Sequence, residues 1–199
     1  FETEKLLNEI RDTDVLLERI LTEARSIANA DAGSIYVIED KQPSSVPAVA
    51  YAEEEHAYKD KLLRIKYAQN DSQRPARPDA KSPYVYFTVP ITKTSIAGYC
   101  ACTGMILNIP DAYHIEGDTP YKFNNSTDIS TGYKTISMLT LPLITSSGQT
   151  LGVLQVINAK NEDGSVIAFS DDSVEFIKQF ASSVTQTLEH TYLKGLRNA

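Results

Sequence analysis

Two apolar runs rich in β-branched residues, "TISMLTLPLIT" (135–145) and "QTLGVLQVINA" (149–159), stand either side of Ser146-Ser147-Gly148. A glycine in so short a connection allows a tight reversal, so the pair predicts an antiparallel hairpin. Pro142 lacks a ladder donor and predicts an edge or a bulge in the first run.

Helical patterns bracket this hairpin at a distance. From Leu6 to Ala28 apolar residues recur at three- and four-residue spacing, and Asn29 to Gly33 end the pattern. Asp12, Thr13 and Asp14 offer capping oxygens and predict a break or bend. Near the other end, Asp171 or Asp172 is the expected cap of a helix carrying Val174, Ile177, Ala181, Val184 and Leu188 as a seam. Part of that helix is expected to pack on a sheet, leaving the seam to a partner helix. Between the two helices, residues 34–39, 62–71 and 84–91 read as strands. Ser95 caps a short helix through Thr103 that Gly104 ends, and "MILNI" (105–109) follows as a short strand. Residues 41–61 sustain no period. Residues 72–83 hold three prolines with Arg74, Arg77 and Lys81, and predict a loop. Helix, strands, then helix without regular alternation gives an α+β class, an antiparallel sheet with helices on one face.

Composition narrows the function. The 199 residues suit one domain able to bury a core without staples. A formal charge of −7 argues against general nucleic-acid binding, which needs a basic surface. No run approaches the roughly 20 apolar residues of a membrane-crossing helix. Two cysteines, Cys100 and Cys102, suit a reducing compartment, and a cytoplasmic location is expected. His56, His114 and His190 lack metal-ligand spacing, and no nucleophile–base order or phosphate loop occurs, so neither enzyme nor metal protein is expected.

The separated segments "LLERILTEARSIANADAGSIYVIE" (16–39), "SIAGYCACTGMILNIPDAY" (95–113), "STGYKTISMLTLPL" (130–143) and "GVLQVINAKN" (152–161) closely resemble GAF domains in order. The resemblance is to those of cyclic-nucleotide phosphodiesterases, adenylyl cyclases and bacterial signalling proteins. It implies a GAF domain over residues 13–192, with 1–12 a signalling helix or linker and 193–199 a linker to an output domain. The implied fold is a six-stranded antiparallel sheet with the N- and C-terminal helices on one face and a ligand pocket on the other.

The same resemblance implies site residues. Ile96 and Ala97 match positions whose amides meet a cyclic phosphate, at a helix N-terminus suited to anions. Ser34 matches a serine near the purine, and Gln69 and Asn70 stand where the base edge is read. Tyr121 or Phe123 supplies a stacking face. Thr131 and Thr135, four apart on what reads as one helical turn, match two pocket threonines. Gln155 stands where cyclic-nucleotide relatives carry glutamate. The family's Asn-Lys…Phe-x3-Asp-Glu signature is altered, with Asn158 followed by Ala159 and Lys160, so its structural Lys–Asp pair is not expected. The implied function is a non-catalytic sensor with cAMP or cGMP as regulatory ligand and no other cofactor, a homodimer through its terminal helices that controls an attached output domain. Open beside it are a GAF fold that takes another small ligand, and one that takes none and acts as a dimerisation spacer.

Overall fold

A computed structural model describes residues 2–42, 53–72 and 87–197. Helix α1 (Glu2–Ala28) leads into β1 (Ala30–Asp40), and after a short 3-10 turn come β2 (Lys61–Asn70) and β3 (Thr88–Pro90). Then follow α2 (Ile96–Thr103), β4 (Leu107–Ile109), α3 (Ser126–Thr131), the hairpin β5 (Met138–Ile144) and β6 (Thr150–Lys160), the two-residue β7 (Val166–Ile167) and α4 (Asp171–Arg197). The sheet is antiparallel in the order β3-β2-β1-β6-β5-β4, with β7 added beside β6. This six-strand path with helices behind it is the expected α+β architecture.

Period-two alternation sends each strand's side chains to two different layers. Ile35 and Val37 of β1, Leu139, Leu141 and Leu143 of β5, and Leu154 and Val156 of β6 pack against α1 and α4. The helices contribute Leu17, Leu21, Ala24 and Ala28 from α1, and Ile177, Ala181, Val184 and Leu188 from α4. The seam of α4 is therefore consumed inside the protomer and is not left for a partner helix. An apolar stripe of this kind is worth more against a covering sheet, where every side chain leaves water. On the opposite face, Tyr36, Leu63, Ile65 and Val153 meet α2.

Three local expectations are corrected. Helix α1 runs through Asp12–Asp14 without a break. Helix α4 is capped by Ser170, whose hydroxyl accepts from the Ser173 N–H at 3.1 Å, rather than by Asp171 or Asp172. Those acids sit instead in the first turn, where they complement the helix dipole. The third strand spans only Thr88–Pro90, and residues 84–86, like Arg74, Arg77 and Lys81, lie outside the described residues. Pro142 lies opposite Val153, and because β4 pairs only with Met138–Thr140, that part of β5 has no β4 neighbour. A register shift follows at Leu143/Ile144. Ser95 and Gly104 cap α2 as expected, Gly104 in the left-handed region.

Two packing details yield measurable outcomes. A Cβ on Gly152 would stand 2.0 Å from the Tyr36 carbonyl oxygen, and backbone cannot step aside as a side-chain tip can. Gly152→Ala is expected to cost about 3 kcal/mol, read as a fall in thermal midpoint of roughly 6–12 °C. Thr140 is fully buried, and its Oγ1 has no hydrogen-bond partner. Thr140→Val, which removes that hydroxyl at nearly constant shape, is expected to raise stability by about 1 kcal/mol in denaturant titration.

Candidate functional site

A cavity of about 200 Å³ opens on the sheet face opposite α1 and α4. Its floor is a row of cross-strand neighbours: Ala68 on β2 pairs with Ser34 on β1, and Ser34 pairs with Gln155 on β6. Ser34 and Gln155 are 6% and 5% exposed, and the serine hydroxyl lies 3.4 Å from the Gln155 carbonyl oxygen. That long bond engages the oxygen end of a carboxamide whose residue lines the cavity. Apolar walls come from Tyr36, Ile65, Val89 and Met138.

The first residues of α2, Ser95, Ile96 and Ala97, form another wall. Ser95 spends its hydroxyl on the Gly98 N–H at 3.0 Å. The first-turn N–H groups of a helix have no intrahelical acceptors, and with the dipole they favour negative charge nearby. Lys122 is beside them, its N–H donating to the Thr94 carbonyl at 3.1 Å in a parallel bridge to Ser95.

Residues 112–136 fold over the cavity as a lid. Its neck is drawn shut by the Ala112 N–H on the Ile136 carbonyl at 2.7 Å. Within the lid, the buried Asp128 carboxylate accepts from the Thr135 N–H and hydroxyl, both at 2.8 Å, and from the Tyr113 hydroxyl at 2.6 Å. These bonds push the Tyr113 phenol up to about 12, because its ionisation would set a second negative charge beside Asp128. Outside anchors hold the lid to the sheet. Asn158, with a positive φ of 60°, accepts the Ile136 N–H at 2.7 Å and donates to the Lys134 carbonyl and the Tyr133 hydroxyl. Tyr133 in turn donates to Asp31 at 2.8 Å.

The expected site residues divide accordingly. Ser34, Gln69, Asn70, Ile96, Ala97, Phe123, Thr135 and Gln155 border the cavity. Gln69, however, turns its amide to α1, accepting from Arg25 at 2.7 Å and donating to the Thr22 hydroxyl at 2.9 Å, so it has no amide to offer a base. The cause is a bulge. Ile65 pairs with Tyr36 and Tyr67 with Ile35, so Lys66 is the extra residue and the alternation inverts. Leu63 and Ile65 face the cavity side before it, Ala68 after it. Thr131 and Thr135 do not share a helical turn: Gly132, at φ 75°, ends α3 between them. Thr131 bonds the Thr127 carbonyl and does not border the cavity. Tyr121 lies in a separate, more open hollow, its ring tilted at 60° to that of Tyr99 with centroids 4.8 Å apart. Lys122 and Asp128, which border the cavity, and Asp31, which braces the lid from outside the lining, were not expected. Lys122 and Asp31 are placed by contacts far along the chain, which no local pattern signals.

A Lys–Asp pair is present despite the altered signature. Lys160 bonds Asp31, an acid outside that signature, at 2.9 Å, where the end of β6 lies beside the start of β1. Burial would raise the Asp31 carboxyl, but hydrogen bonds from Lys160, Ser72 and Tyr133 outweigh it and hold the group below the ordinary carboxylate value. A lowered native pKa contributes stability above the unfolded value of about 4 and loses it as pH falls through the native value. Thermal unfolding between pH 7 and pH 3 is expected to show a falling midpoint, and Asp31→Asn to start lower at pH 7 and fall less steeply.

Comparison with known proteins agrees with this architecture. The GAF domain model matches residues 12–188. A cGMP-specific 3',5'-cyclic phosphodiesterase of Drosophila sechellia is 29% identical over 169 residues, and that of Drosophila virilis 30% over 171. Each match covers 85% of this chain but only 12% and 16% of the relatives' own length. Among solved structures, residues 122 to 287 of a methyl-accepting chemotaxis protein superpose with TM-score 0.60 at 15% identity, covering 96% of this chain and 98% of that one. The GAF-B domain of DevS from Mycobacterium smegmatis gives 0.58 at 13%, covering 93% and 98%. The chain belongs to the GAF domain family.

Proposed function

We propose that this GAF domain is a non-catalytic sensor that binds a cyclic nucleotide, cAMP or cGMP, under its lid and passes the bound state to an attached output domain. The observation that carries the reading is the Ser34–Gln155 pair, neutral and buried, at the base of a cavity whose wall is the N-terminus of α2. A buried carboxamide offers a donor and an acceptor to a planar ring edge, while the helix end and Lys122 favour a phosphate. The cGMP-specific phosphodiesterase relatives support the same choice. Among the described residues there is no group of His, Cys, Asp and Glu fit to hold a metal, and no helix is long and apolar enough to cross a membrane. A dimer through the terminal helices would use their outer faces, where Val15, Ile27 and Phe176 are exposed.

Thermal unfolding against cAMP and cGMP tests the reading. A ligand at 100 times its dissociation constant adds about 2.7 kcal/mol, several degrees for a domain of this size. Gln155→Met keeps the volume and removes the amide. It is expected to leave the unliganded midpoint within a few degrees and to weaken binding about tenfold by calorimetry. No saturable shift with either nucleotide would overturn the ligand assignment.

A further inference from the structure

The Asp31 side chain is 7% exposed, yet it serves three elements at once. Oδ2 accepts from Tyr133 of the lid at 2.8 Å and from Ser72 after β2 at 2.7 Å, and Oδ1 accepts from Lys160 at 2.9 Å. The main-chain carbonyl of the same residue faces a fourth. It accepts from Arg25 of α1 at 3.0 Å and from the Asp71 N–H at 3.0 Å. Arg25 is itself held by further bonds, its other donors meeting the Ala30 carbonyl, Gln69 and Asp71. One residue thus has its side chain on the lid and its backbone on the helix. The side-chain bonds are charge-assisted and poorly hydrated, so a displaced Tyr133 cannot be replaced without moving the carboxylate or admitting water.

We propose that Asp31 is the joint through which movement of the lid reaches the C-terminal end of α1. Whatever ligand raises or lowers the lid acts on Tyr133, then on Asp31, and so on the Arg25 cluster that fixes the helix end. The coupling is a free energy between two places, and it must run equally in both directions.

Hydrogen–deuterium exchange on the unliganded chain tests this, read at residues 126–136 of the lid, 22–31 at the helix end and 138–144 of β5 as reference. Tyr133→Phe removes only the shared hydroxyl. It is expected to speed exchange about threefold or more at both 126–136 and 22–31 while leaving 138–144 unchanged. Arg25→Met, on α1 and remote from the lid, is expected to speed exchange in the lid by a similar factor. Thr135→Val, which loosens the lid at Asp128 without touching Asp31, is expected to act on the lid alone. A Tyr133→Phe effect confined to the lid, a silent lid in Arg25→Met, or a uniform rise that includes 138–144 would each overturn the proposal.

Discussion

Everything in this fold hangs on β1 and β6 being covered on both faces. A strand in that position cannot leave polar atoms to solvent, so each must find a partner within the protein or a ligand. On the helix-facing side the problem is solved with Ile35, Val37, Leu154 and Val156, which carry no polar atoms to satisfy. On the other side Ser34 and Gln155 are placed at the centre of the sheet, and their mutual bond is long. The energetic tension of the molecule is concentrated there. A sheet face that could have been filled with valine instead keeps a hydroxyl and an amide under a hollow.

The close backbone approaches serve the same pair of strands. Gly33 and Gly152 stand where β1 and β6 crowd each other and α1, and Gly33 admits Leu21 to within contact of the strand. Small residues at these points let the helices lie close enough to close the apolar layer. Among the described residues the opposite layer is thinner, made by one eight-residue helix and the lid, which leaves room for the cavity.

Much of this was legible in the chain. The hairpin around Gly148, the caps at Ser95 and Gly104 and the stripe from Leu17 to Ala28 are local patterns, and each became the element it signals. The bulge at Lys66 was not legible, because an extra residue in a strand leaves no mark in a two-residue alternation until its partner strand is known. That single irregularity turned the Gln69 amide away from the cavity and toward α1. Gly132 likewise separated Thr131 from Thr135. Asp31 was hidden for a further reason: its partners lie 41, 102 and 129 positions away. The α4 seam misled in the opposite sense, since a heptad-like spacing fits a partner helix and a covering sheet equally well.

Two buried carboxylates hold the lid, and they differ in ownership. Asp128 binds Thr135 and Tyr113, all within the lid, whereas Asp31 belongs to the sheet. Breaking the second set leaves the first intact. The lid can therefore swing as a preassembled flap instead of melting into coil, and few backbone torsions need to be frozen again when it shuts. At about 1–2 kcal/mol of ordering entropy per residue, a flap that swings whole closes at far smaller entropic cost than a loop that must refold.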